Sequence, residues 1–191
     1  MTWYVVDGVD GSGKSTIANI IQEKLALCRR RVLVSTHPDS SCLSGRMTSA
    51  FLYKDTRIAA VISTIFYVVN ILRSLHIKKK LSKKYDDFIF VRYDLAVAYI
   101  PERIMCFAYK VILSVLDIPD VRIFVDISPE VAMSRIIGRG NKLEMFETLE
   151  RLTKVRKKML SIARNWVIID NSSSIEQTET SINQIISGFV S

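Results

Sequence analysis

The chain is short of the residues that build metal and disulfide scaffolds. It holds two histidines, His37 and His76, and three cysteines, Cys28, Cys42 and Cys106, none in C-x-x-C spacing. Neither a zinc site nor a disulfide framework is therefore expected. No internal repeat or low-complexity segment occurs, which excludes a solenoid. The first residues, Trp3 to Asp7, are apolar and β-preferring rather than a basic and apolar leader, so no secretory signal is visible and the cytoplasm is the expected compartment. The uncharged run from Ile58 to Leu72 contains Ser63, Thr64 and Asn70 and falls short of the roughly 20 apolar residues that span a bilayer. Acidic residues are outnumbered, 19 against 27 Lys and Arg, for a net charge of +8. That balance suits anionic partners without choosing among them.

What remains is an ordinary soluble composition, 49% apolar and 24% charged over 191 residues, enough for one well-buried core. A single domain over 1–191 is the expectation. The most informative stretch is Gly8-Val9-Asp10-Gly11-Ser12-Gly13-Lys14-Ser15-Thr16. Glycines at 8, 11 and 13 let main-chain amides approach phosphate oxygens. Lys14 and Ser15 complete a P-loop: the ammonium, a solvent-facing functional group in this reading, reaches the β- and γ-phosphates, and the hydroxyl binds Mg2+. A strand precedes the loop, and a helix with apolar residues at Ile17, Ile20, Ile21 and Leu25 follows it, placing the helix N-terminus against the anion. The dinucleotide fingerprint G-x-G-x-x-G fails, because Thr16 stands at its third glycine.

Five apolar, β-rich runs alternate with helical patterns: Trp3 to Asp7, Arg31 to Thr36, Asp87 to Tyr93, Val121 to Ile127 and Trp166 to Asp170. Alternation of this kind predicts an α/β fold, a five-stranded parallel sheet with helices on both faces. Ligands bind such sheets beyond the carboxyl ends of the strands. Helices are expected over Leu43 to Tyr53, Thr56 to Leu81, Asp94 to Leu116 with a bend or late start at Pro101, Leu143 to Ala163, and Ser174 to Val190. Ser128-Pro129 reads as N-cap and first helical residue of a helix running to about Ile137. The stretch from Thr56 is expected to be a buried core helix emerging as a solvated basic end at Lys78 to Lys84.

Four motifs in order resemble thymidylate kinases and their nucleoside and nucleoside-monophosphate kinase relatives, over nearly the whole chain. They are the P-loop with its internal acid Asp10; Arg92-Tyr93 leaving the third strand; Asp126-Ile127-Ser128-Pro129-Glu130 running on through Arg135 and Arg139; and the helix containing Val155-Arg156-Lys157. The resemblance implies a P-loop NTPase fold with a short lid near 136–145, and transfer of the γ-phosphoryl of ATP to a nucleoside monophosphate, dTMP above all, with Mg2+. It implies a donor set of Gly8, Asp10, Gly11, Ser12, Gly13, Lys14, Ser15 and Thr16, with Asn171 where the adenine packs. It implies an acceptor set of Asp10, Pro38, Asp39, Arg73, Arg92, Tyr93 and Tyr99. It gives Lys14, Arg92, Arg135 and Arg139 catalytic roles, since this P-loop carries no arginine and the lid must supply one, with Lys142 in reserve. Relatives of this kind usually form homodimers, and the apolar 58–72 segment suits that role.

The acceptor side departs from the family pattern. Val91 stands where the family has an aspartate that organises magnesium, leaving Asp94 or Asp126 as candidates for that task. Ala98-Tyr99-Ile100 falls one residue early and lacks the glutamine that reads thymine, and Ser40 replaces an arginine, with Arg46 and Arg73 as spare cations. Two alternatives stay open on these grounds: a kinase of a nucleoside or other small hydroxyl compound, and a weakly catalytic nucleotide-binding protein docking its basic face on an anionic surface. Nucleic acid and membrane contacts are not expected of the leading reading.

Overall fold

The computed structural model describes residues 1–52, 57–140, 147–172 and 175–189, and of 51–52, 57–61 and 104 the backbone alone. The part of the expected lid from 141 to 145, including Lys142, lies outside the described residues, as does Ser174. Five strands form one parallel sheet: β1 (Thr2–Asp7), β2 (Val32–Thr36), β3 (Asp87–Val91), β4 (Val121–Asp126) and β5 (Val167–Asp170), in the order β2-β3-β1-β4-β5. The helices are α1 (Lys14–Leu27), α2 (Leu43–Leu52), α3 (Arg57–Leu81), α4 (Glu102–Val115), α5 (Pro129–Gly138), α6 (Leu149–Ile162) and α7 (Ile175–Ser187).

Side chains alternate across the central strands and feed two cores. Trp3, Val5, Phe88, Phe90 and Phe124 pack on one face with Ile71 of α3, Met105 of α4, Ile136 of α5 and Leu152 of α6. Tyr4, Val6, Ile89, Val91 and Ile123 pack on the other with Ile17 and Ile21 of α1 and Ile182 of α7. Coverage of both faces is why β1 and β3 read as continuous apolar runs. Each large side chain taken fully out of water contributes about 1.5–3 kcal/mol. At the opposite end from the P-loop, buried Asp87 accepts Thr2 N at 3.0 Å and Arg30 Nη2 at 2.7 Å, tying β1 and β3 to the turn before β2.

Three local expectations change in the fold. β3 ends at Val91, not Tyr93, because Arg92 turns the chain with φ of 64°. Of the two outcomes expected at Pro101 the late start is the one found: a 3₁₀ turn, Leu95–Tyr99, precedes α4, because Ile100 before Pro101 is extended with ψ of 164°. α6 starts at Leu149, where the Thr148 hydroxyl accepts Arg151 N at 3.3 Å. The Ser128 cap forms as expected, accepting Val131 N at 3.3 Å. The largest difference is in α3. Ser63, Asn70, Ile71 and Ser74 are buried, whereas Ile65, Val68, Val69 and Leu72 are exposed by 57%, 37%, 48% and 44%. From residue 62 onward one face of α3 is core, and the outward face carries these four apolar residues beside Thr64, Arg73 and His76. No helix among the described residues is long and apolar enough to cross a membrane.

Candidate active site

The sheet order places β1 between β3 and β4, so the loop leaving β1 opens at the centre of the carboxyl edge. The loop is tight. A Cβ on Gly11, whose φ is +78°, would lie 2.4 Å from Ala132 O of α5, and one on Gly13 would lie 2.4 Å from Asn171 Nδ2. Only glycine fits either position. α1 begins directly at Lys14, with Ser15 and Thr16 exposed on its first turn, so unpaired amide donors face the loop mouth.

Lys14 is not the solvent-facing group expected: it is 5% exposed, and its ammonium donates to Gly8 O at 2.8 Å and Val9 O at 2.6 Å. It also lies 3.7 Å from Asp10 Oδ1. Burial and the nearby Arg92 guanidinium push the Lys14 ammonium down to about 8, against the pull of Asp10 and Asp7. Asp10 is the hub of the site. Its Oδ1 takes an Arg92 guanidinium nitrogen, and its Oδ2 accepts the Tyr99 hydroxyl at 2.8 Å. Burial works to raise its carboxyl, but Arg92 and Lys14 outweigh burial and hold it well below the usual carboxylate range. Burial and Asp10 in turn push the Tyr99 phenol far above its ordinary value, so its proton stays in the hydrogen bond.

On the β4–β5 side, Arg135 Nη2 of α5 donates to Asn171 O at 3.2 Å, and Asn171 Nδ2 donates to Ser12 O at 2.7 Å. Arg135 and Asn171 therefore stand together against the P-loop. Arg139 is exposed at the end of α5, near enough for its charge to depress Lys14. On the β2 side, Pro38 follows a cis peptide bond, Asp39 N donates to Asn70 Oδ1 at 3.1 Å, and Arg73 donates to Asp39 Oδ2 at 3.0 Å.

Several expected residues are placed elsewhere. Tyr93, expected on the acceptor side, points into the core. It is 2% exposed, packs edge-on against Trp3, and its hydroxyl donates to Asp117 O at 3.0 Å. Val91 is 1% exposed among the apolar residues of the α1 side. Neither carboxylate considered as its replacement is free in the site. Asp126 is held by Arg156 of α6 through two bonds of 2.7 Å. Asp94 is 1% exposed, and neither of its oxygens makes a well-formed hydrogen bond among the described residues, although the Tyr109 side chain and the Leu95 amide face the carboxyl. Burial, with Asp7 adding to it, pushes its carboxyl up to about 7. Arg46 and Ser40 are exposed.

The bracing of the site has no local signature in the sequence. His37 and Ser74 lie behind Arg92, and Lys158 of α6 donates to Ala98 O at 2.8 Å and Ile100 O at 2.5 Å, capping the 3₁₀ turn that carries Tyr99. A lone histidine beside a proline and a lysine within a charged helix give no signal of such contacts. The pairing of Arg156 with Asp126 is equally silent at a separation of 30 residues.

The family model for thymidylate kinase matches residues 6–182. The chain belongs to the thymidylate kinase family. Among similar proteins, a probable thymidylate kinase of Pyrobaculum aerophilum is 28% identical over 193 residues, covering 97% of this chain and 96% of its own length. A thymidylate kinase of Carboxydothermus hydrogenoformans is 26% identical over 204 residues, covering 97% of each. The solved structure of thymidylate kinase from Candida albicans superposes with a TM-score of 0.78 at 21% identity, covering 98% of this chain and 91% of that one. That superposition establishes the shared fold, a P-loop NTPase sheet, for this member of the thymidylate kinase family.

Proposed function

We propose that this chain transfers the γ-phosphoryl group of ATP to the phosphate of dTMP, giving ADP and dTDP. The observation that carries the reading is the meeting of Lys14, Arg92 and Tyr99 on Asp10 at the P-loop mouth, in a chain matching the thymidylate kinase family over 6–182. An oxygen of the dTMP phosphate forms the new bond to the γ-phosphorus, the bond to the bridging oxygen breaks, and ADP leaves. The protein's part is positioning and charge neutralisation, because the transition state spreads negative charge over the transferred group.

Main-chain amides of Gly11, Gly13 and the first turn of α1 from Lys14 to Thr16 bind the donor phosphates, Gly8 N being held by Asp7 Oδ1 and Ser12 N by Val9 O, and Lys14 neutralises them from below. Arg92, already oriented by Asp10, bridges donor and acceptor phosphates. Arg135 and Arg139, on the last turns of α5, supply guanidinium charge from the lid side, and Asn171 lies beside the adenine. Asp10, Pro38, Asp39, Arg73 and Tyr99 form the acceptor side. Among the described residues no group of three or more His, Cys, Asp or Glu is arranged to hold a metal. The exposed Ser15 hydroxyl fits Mg2+, which takes most of its ligands from water and substrate phosphates. When bound there, the ion neutralises phosphate charge.

We assign this activity to the cytoplasm, where the three free thiols Cys28, Cys42 and Cys106 fit a reducing medium. We also infer a homodimer through α3. Ile65, Val68, Val69 and Leu72 are exposed at i, i+3, i+4 and i+7 spacing, one continuous helical stripe suited to a second copy of itself. The enzymatic reading is tested by coupling ADP release to dTMP, dUMP and the other nucleoside monophosphates, with product mass recorded. Acceleration by dTMP with formation of dTDP supports it. No acceleration by any monophosphate, or phosphorylation of nucleosides alone, refutes it.

A further inference from the structure

We propose that His37 is a positioning residue for Arg92, holding the backbone turn that aims the guanidinium at the phosphates. The proposal rests on the reading of Arg92 as the bridge between donor and acceptor. Arg92 and Arg29 are the non-glycine residues of positive φ among those described, and Arg92 stands at 64°. An L-residue holds that conformation only where its surroundings compel it. The compulsion here comes from a reciprocal grip. His37 N donates to Val91 O at 2.9 Å, the His37 ring Nδ1 lies 2.8 Å from Arg92 O, and Arg92 Nη1 donates back to His37 O at 3.4 Å.

The chemistry of the partners fixes the ring's proton. Arg92 O can only accept, so Nδ1 carries hydrogen. The ring is fully buried and lies edge-on to Phe90 at 5.2 Å. Burial pushes it down to about 4, so it is neutral and Nε2 is a bare acceptor. Ser74 Oγ of α3, 2.8 Å away, must then donate to Nε2, and Ser35 Oγ of β2, 3.3 Å from Ser74 Oγ, donates in its turn. The charged groups facing the ring are Arg92, which opposes a second proton, and Asp39 on its own loop, which favours one. Hydrogen bonds thus run in one direction from Ser35 through Ser74 and His37 to the carbonyl of Arg92. A histidine that merely filled the core would have no need of this tautomer.

Two substitutions separate positioning from packing. His37→Phe keeps the ring volume and removes the donor; His37→Asn loses volume and keeps an N–H in place of Nδ1–H. With ATP and dTMP, His37→Phe is expected to lower kcat by about 10- to 100-fold, the loss expected for one positioned hydrogen bond near a charged group, while KM for ATP stays within about twofold. His37→Asn is expected to recover most of that kcat despite a lower melting temperature. Activity and stability then rank the variants in opposite orders, which a packing role does not produce. A long-range 1H–15N spectrum of the unmodified protein gives the tautomer without reference to activity, with hydrogen on Nδ1 expected. The proposal is overturned if hydrogen resides on Nε2, or if His37→Phe keeps full kcat while Arg92→Ala loses it. If Arg92→Ala keeps full kcat, the reading of Arg92 itself has failed.

Discussion

Replacing Asp94 by asparagine is expected to stabilise the protein, and by more as the pH rises. The carboxyl is buried with neither oxygen in a well-formed hydrogen bond, and its folded value of about 7 lies above the ordinary 3.8. Between those values the folded state binds a proton that the unfolded chain has released, so the contribution of Asp94 is fully present below 3.8 and is lost as pH rises through 7. From 3.8 to about 7, at about 1.4 kcal/mol per unit, the change is at most about 4 kcal/mol. His37 has the opposite sign. Its folded value is depressed from 6.5 to about 4, so its contribution is present above 6.5 and falls by up to about 3 kcal/mol as pH drops toward 4. The two slopes oppose each other between pH 4 and 6.5 in the parent protein. Urea unfolding followed by circular dichroism at pH 4.5, 6 and 7.5 reads the difference. Asp94→Asn should match the parent near pH 4.5, exceed it at 7.5, and show stability rising with pH where the parent is flatter. A parent-to-variant gap that is the same at all three pH values would refute the reasoning, since it would mean that Asp94 does not change charge differently in the two states.

Two other substitutions test separate parts of the structure. Gly11→Ala places a methyl group 2.4 Å from Ala132 O at a φ of +78° and should destabilise the protein by about 2–4 kcal/mol in urea unfolding, with Mg·ATP binding by calorimetry weakened as well; unchanged stability would show that the loop is not tightly seated on α5. Val69→Asp, on the exposed stripe of α3, should turn a sedimenting dimer into a folded monomer; a wild-type protein that sediments as a monomer at micromolar concentration removes the stripe from any such role.

Much of the sheet could be read in the chain because the signals are local. Apolar runs bounded by turns gave each strand to within two residues, and Ser128-Pro129 and Pro101 set the starts of α5 and α4. The ends that misled are those fixed by distant partners. Nothing near Arg92 says that its φ is positive, because His37 holds that turn from 55 residues away. The start of α6 was masked by apolar residues at Leu143 and Phe146 that continue its period. In α3 an uncharged run does not say which face is buried; its polar Ser63, Asn70 and Ser74 point inward, bonded to groups of other elements. In the site, the P-loop is contiguous and legible. The meeting of Arg92 and Tyr99 on Asp10 spans 82 and 89 residues and appears only when β1 and β3 lie side by side.

The most direct test of the phosphoryl-transfer claim is the rate of dTMP-dependent ADP formation in wild-type protein and in Lys14→Ala, with dTDP confirmed by mass and the melting curves compared. The expected result is turnover by the wild type and a loss of roughly 100-fold or more in a variant that melts as a folded protein, since the ammonium that neutralises the donor phosphates is gone. No dTMP-dependent ADP from the wild type, or equal turnover by Lys14→Ala, would contradict it.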